Sequence, residues 1–101
     1  MEVLQNYING SWVQSRETET IDVINPASQE VLGKVPYGKN TYADVTAAVE
    51  AASKAFKSWS QVPVMRRVQP LYKLKQLLEE HAEEIARTIT LECGKTIAES
   101  R

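Results

Sequence analysis

The sequence predicts an α+β chain, with N-terminal β-hairpins followed by three amphipathic helices. Three observations carry this reading. An Asn9-Gly10 pair stands between short apolar and aromatic runs. The apolar period lengthens from that of a strand to that of a helix near residue 41. Finally, Gly94, Thr96 and Glu99 spell the end of one helix and the start of another. Residues 1–40 are therefore expected to form a β-hairpin region, and residues 41–101 a helical one.

Tyr7-Ile8-Asn9-Gly10-Ser11-Trp12-Val13 predicts the first hairpin. Asn and Gly tolerate positive φ, which a two-residue turn of the right twist demands. Ser15 to Thr20 is polar and reads as a loop. Thr20-Ile21-Asp22-Val23 alternates, which puts Ile21 and Val23 on one face of a strand. Asn25-Pro26-Ala27-Ser28 is a turn signal. Val31 to Pro36 is the returning strand, and proline limits its end. Tyr37 to Asn40 is a loop.

Val45, Val49, Ala52, Phe56 and Trp59 form one helical stripe, with Thr41 as the expected N-cap and Asp44 in the first turn. Ser60 to Pro63 breaks the pattern. Val64, Val68, Leu71, Leu74 and Leu78 make a second stripe, interrupted by Pro70. A proline there removes a bond to the Arg66 carbonyl, so either the helix kinks or the main helix starts at Pro70. The unbroken stripe favours the kink. A third helix is expected from Ala82 to Cys93, with Ile85, Ile89 and Cys93 on one face. Gly94 supplies its left-handed cap. Thr96 and Glu99 have the spacing of a capping box, which announces a further helix that has barely one turn before Arg101. The chain is thus expected to be the front of something longer.

Charge and composition narrow the function classes. The 101 residues carry 12 Lys+Arg against 13 Asp+Glu, a net charge of −1. Such a balance offers no basic face for phosphates, so no nucleic-acid partner is expected. No apolar run approaches a membrane span, and Met1 to Gln5 lacks the pattern of a signal peptide. A single cysteine excludes an internal disulfide framework and fits a reducing, cytoplasmic setting.

Few residues invite a catalytic reading. Cys93 beside Gly94 and Lys95 suggests a nucleophile, but it continues an apolar stripe at the negative end of a helix, which disfavours a thiolate. It is expected to be a small core residue. His81 lies among Glu79, Glu80, Glu83 and Glu84, and reads as part of a solvated acidic surface rather than a metal site. Arg66-Arg67 reads as solvated or paired with a nearby glutamate. Leu91-Glu92-Cys93-Gly94-Lys95 lacks the glycines of a phosphate cradle. No catalytic, cofactor-binding or metal residue is assigned from these patterns.

The order of motifs carries more than any one of them. Tyr7-Ile8-Asn9-Gly10-x-Trp12-Val13 is followed by Asn25-Pro26-Ala27-x-x-Glu30-Val31-Leu32 and Val35-Pro36. Then come Asp44-Val45, Ala47-Ala48-Val49-x-Ala51-Ala52, Ala55-Phe56-x-x-Trp59, Pro63-x-x-Arg66-Arg67, Leu77-Leu78 and Thr90-Leu91-Glu92-x-Gly94-Lys95. Over residues 6 to 101 this resembles the N-terminal segment of NAD-dependent aldehyde dehydrogenases. Within them it is most similar to the methylmalonate-semialdehyde dehydrogenase branch.

The resemblance implies an incomplete N-terminal part of an α/β cofactor-binding domain. It implies an intact enzyme in which a cysteine thiolate attacks an aldehyde, NAD accepts hydride, and water or coenzyme A takes the acyl group. The implied partners are the remainder of the chain and further copies in a homo-oligomer. The family's Gly-Gln-x-Cys and Glu-Leu-Gly-Gly-Lys motifs do not occur here, so no catalytic role passes to Glu92, Cys93 or Lys95. No cofactor is expected on this chain alone. Some members hold a monovalent cation on backbone oxygens before the Asn-Pro turn, here Val23 or Ile24. Pro70 departs from the family, which has a helix former there. The rival reading is a stand-alone helical interaction module presenting the Val45 to Trp59 face.

Overall fold

The computed structural model describes residues 2–101. Two short antiparallel sheets are followed by helices in an α+β arrangement. The chain divides into two compact units. The first runs to Ile24 and resumes over Val31–Ser60, and the second comprises Asn25–Glu30 and Gln61–Arg101.

In the first unit, β1 (Asn6–Ile8) pairs with β2 (Ser11–Val13). Asn9 at φ 54 and Gly10 at φ 79 close the turn, as that dipeptide predicts. Tyr7 faces Trp12 across the pair, ring centroids 5.1 Å apart and edge to face. β3 (Thr20–Ile24) pairs with β4 (Val31–Pro36), and the register shifts between Val23 and Ile24. Residues 2–4 run parallel along β4. The Leu4 amide donates to Lys34 O at 2.9 Å, and the Lys34 amide to Glu2 O at 3.0 Å.

Helix α1 (Thr41–Trp59) completes this unit. Its predicted cap needs correction. Thr41 is the first helical residue, after Asn40, and its hydroxyl donates to Gly38 O at 2.6 Å. Asp44 does not serve the helix end alone, because its carboxylate is taken by Ser15 and the Arg16 amide. The predicted stripe forms but is not covered. Val45, Val49, Phe56 and Trp59 are all exposed, while the half-buried face of the helix is Ala47, Ala48 and Ala51.

In the second unit, Asn25 Oδ1 accepts from the Ala27 amide at 2.9 Å, an Asx turn that fixes the 25–30 loop. Helices follow as α2 (Val64–Arg67), α3 (Gln69–Glu80), α4 (Ala82–Cys93) and α5 (Ile97–Ser100). The expectation of one kinked helix through Pro70 is overturned. Pro70 has no N–H for the Arg66 carbonyl, so the ladder breaks and α3 starts afresh with proline in its first turn. The Leu71 and Tyr72 amides then both take Val68 O, at 3.0 and 3.2 Å. Val68 keeps a right-handed backbone, φ −78 and ψ −18, and this is why the apolar stripe continues unbroken across the joint.

Gly94 ends α4 in the left-handed region, φ 72. The Glu99 amide donates to Thr96 Oγ1 at 3.3 Å, and the Thr96 amide to Glu99 Oε2 at 3.2 Å, which completes the predicted capping box. Arg101 reaches Glu83 at 2.9 Å, and Thr90 and Ser100 share a hydrogen bond of 2.9 Å. Burial is sparse. Among the described residues the buried ones are Ala86, Glu17 and Gly33. On α4 the face turned inward is Ala86, Ile89 and Thr90, rather than Ile85, Ile89 and Cys93.

Candidate functional site

The best-organised polar cluster in the chain lies in the first unit and is built by two carboxylates. The 15–20 loop has no side-chain periodicity to hold it, so its amides need acceptors. Glu17 supplies them. Its Oε1 accepts from the Thr18 amide at 2.8 Å and from the Glu19 amide at 2.9 Å. Its Oε2 accepts from the Asn40 amide at 2.7 Å, tying the loop to the segment just before α1. These amides, Glu19 first and then Asn40, hold the carboxyl below its ordinary pKa, because each stabilises the charged form. A Cβ at Gly38 would land on this carboxylate, so any other residue there must displace the Glu17 side chain from its amides.

Asp44 does the same one turn into α1. It accepts from the Ser15 hydroxyl and, at 3.2 Å, from the Arg16 amide. Those bonds, the Ser15 hydroxyl first, lower its pKa as well. Ser15 Oγ in turn accepts from the Glu17 amide at 3.0 Å. Both carboxylates are thus occupied by the chain's own donors. They pin a loop. The sequence presents this stretch as a plain polar loop. Pairs so far apart along the chain leave no period in the sequence.

The clefts of this unit are shallow and open. One, about 370 Å³, is lined by Ile8, Val13, Arg16, Asp44 and Ala47 among others, and its one carboxylate accepts from Ser15 and the Arg16 amide. Another, about 360 Å³, lies between the Asn9-Gly10 turn and the alanines of α1.

Cys93, Gly94 and Lys95 sit at the C-terminal end of α4. Cys93 is a free, exposed thiol, not the packed core residue that the stripe predicts, because α4 turns its Ala86 side inward. His81 is at the opposite end of this helix of 12 residues, roughly 18 Å away along the axis, so the structure does not bring them together. His81 Nδ1 is 3.0 Å from Glu84 on an exposed surface, Glu80 is bonded to Gln76, and Glu83 to Arg101. Among the described residues no three His, Cys, Asp or Glu side chains gather as metal ligands. Val23 and Ile24 lie where the β3–β4 register shifts. Arg67 departs from expectation: it pairs with no glutamate, and its Nε is buried without an acceptor among the described residues. Among the described residues, no helix is long and apolar enough to cross a membrane.

Gly10 is in a hairpin turn, Gly33 in β4, Gly38 against Glu17 and Gly94 at a helix C-terminus. None opens a helix N-terminus, where backbone amides would meet phosphate.

Comparison with known proteins supplies what the local geometry lacks. The aldehyde dehydrogenase family profile matches residues 12–101. A malonate-semialdehyde dehydrogenase of Oceanobacillus iheyensis is 50% identical over 97 residues, 96% of this chain and 20% of that protein. One from Listeria monocytogenes is 52% identical over 98 residues, again 20% of its length. Among solved structures, a putative methylmalonate-semialdehyde dehydrogenase from Sinorhizobium meliloti complexed with NAD superposes with TM-score 0.88 at 34% identity, over 99% of this chain and 20% of that one. Lactaldehyde dehydrogenase from Escherichia coli gives TM-score 0.90 at 33% identity, over 99% of this chain and 21% of the other. The chain therefore spans about 20% of the length of the curated relatives it matches.

Proposed function

Because this chain belongs to the aldehyde dehydrogenase family, we propose that it is the N-terminal part of an NAD-dependent semialdehyde dehydrogenase. The observation that carries the reading is identity of 50% and 52% to malonate-semialdehyde dehydrogenases across nearly the whole chain. The substrate is a short semialdehyde of the malonate or methylmalonate type, oxidised to an acid or, with coenzyme A, to an acyl thioester. The two units described above are then an incomplete front of the cofactor-binding domain.

Within such an enzyme these residues do structural work. Glu17 and Asp44 fix the loop between the two hairpins. Gly94 and the Thr96–Glu99 box set the joint between α4 and α5. Cys93, exposed and far from His81, takes no part in the chemistry, and neither does Glu92 or Lys95. NAD is held by the part of the enzyme that this chain does not span, since the glycines here stand at the wrong places to cradle it. The remaining polypeptide is the principal partner of the exposed α1 stripe, and the enzyme is a cytoplasmic homo-oligomer. A stand-alone interaction module finds no support among these relatives.

The test is to read the gene past Arg101 and assay its full product. A continuous frame that yields NAD reduction with malonate semialdehyde is the expected result. A frame that stops at Arg101, or a full product inert toward every short semialdehyde, refutes the proposal.

A further inference from the structure

Arg67 ends α2, and its side chain is half-buried. Its Nε is closed off from solvent with no acceptor among the described residues. A donor on a charged group that gives up water and gains no oxygen is costly, and native proteins leave few of them. The carboxylates of its own unit offer no relief. Glu79 is taken by Lys75, Glu80 by Gln76, Glu83 by Arg101 and Glu84 by His81. All four lie on the exposed α3–α4 surface, Glu99 closes the capping box on the Thr96 amide, and among the described residues no ion pair joins Arg67 to these or to Glu30 and Glu92, the two remaining acids of the unit.

We propose that Arg67 is a docking cation whose oxygen acceptor lies in polypeptide beyond these 101 residues. This rests on the reading of the chain as part of a longer enzyme. The acceptor is a carboxylate, because a planar guanidinium bonds one in a two-pronged fork and loses its charge penalty in doing so. Arg67 is therefore a positioning residue. It fixes the joint between α2 and α3 against the rest of the protein, and touches neither substrate nor cofactor.

Two substitutions separate the donor from the bulk of the side chain. Arg67→Met fills the stem and removes the donor. Arg67→Gln places an amide nitrogen where Nε stands, without the charge. In the 101-residue chain, the urea midpoint of Arg67→Met is expected to equal or exceed that of the parent, because nothing is lost and an orphan donor is removed. In the full gene product, Arg67→Met is expected to lower the melting temperature by several degrees. Arg67→Gln recovers only part of the loss if the acceptor is a carboxylate, and all of it if the acceptor is a peptide carbonyl, which overturns the carboxylate assignment. A lower midpoint for Arg67→Met in the 101-residue chain places the acceptor inside it and overturns the proposal while leaving the family reading intact. So does a full-length Arg67→Met as stable as the parent. Failure of the family reading shows separately, as an unsubstituted full product without dehydrogenase activity.

Discussion

Replacing Gly94 with alanine tests the α4–α5 joint most directly. Two costs are written in the geometry. Gly94 has φ 72, and an L-residue in that region costs roughly 1–2 kcal/mol. The stiffer unfolded chain returns about 0.4–1 kcal/mol of this, leaving a net backbone cost of about 1 kcal/mol. The second cost is a collision. An added Cβ would stand 2.9 Å from Pro26 Cγ, well inside ordinary contact. Overpacking of that kind costs about 1–3 kcal/mol. The sum is about 2–4 kcal/mol. Pro26→Ala removes Cγ, and the next atom, Pro26 Cβ, is 3.8 Å away, an ordinary distance. In that background Gly94→Ala should cost only the backbone part. A double-mutant cycle followed by far-UV circular dichroism in urea reads the difference, expected at about 1–3 kcal/mol. Equal costs in both backgrounds would refute the placement of the Asn25–Glu30 loop against the end of α4.

Three further outcomes follow from other features. Glu17 and Asp44 have folded-state pKa values below their unfolded ones, so their contribution is present above the ordinary carboxylate range and is lost as pH falls through the folded values. Hydrogen exchange of the Thr18, Glu19 and Asn40 amides should therefore accelerate as pH falls below the ordinary carboxylate range, after correction for intrinsic rates. In Glu17→Gln that protection should be weak at neutral pH already; full protection in the variant would be contrary. The exposed α1 stripe should drive self-association of the 101-residue chain, as a two-fold dimer, in sedimentation at micromolar concentration. Phe56→Glu should shift it to monomer, and a parent that is monomeric throughout would contradict this. Cys93→Ser should change the turnover of the full gene product by less than tenfold, and a loss of a hundredfold without unfolding would reinstate the thiol.

What the sequence made legible is the chemistry of neighbours. Asn9-Gly10, Asn25 to Ser28, Gly94 and the Thr96–Glu99 box each act within a few residues, so residue type alone predicts the geometry. Thr41 and Pro70 misled because each had two local solutions. Thr41 uses its hydroxyl on Gly38 rather than on the helix amides, and Pro70 begins a helix while Val68 hides the break. The Glu17 to Asn40 and Asp44 to Ser15 bonds span 23 and 29 residues, and no periodicity reports such pairs. The stripe on α1 was visible as a pattern. A pattern names the apolar face of a helix but not what covers it, and here the covered face is the alanine one.

The sparse burial also bears on how this polypeptide acquires its shape. Among the described residues Ala86 is the one buried hydrophobic side chain, so burial in this stretch gives little to order the events of folding. The hairpin turns, the glycine stop and the capping box each close over short loops, and short loops close fastest. They can take form one after another as the chain leaves the ribosome at about 5–20 residues per second. Each waits for no distant segment. Such a stretch reaches the later stages of synthesis with its local geometry decided and its apolar faces still open. In an enzyme of the proposed length, those faces stay free to meet their own kind until the segments that cover them are made.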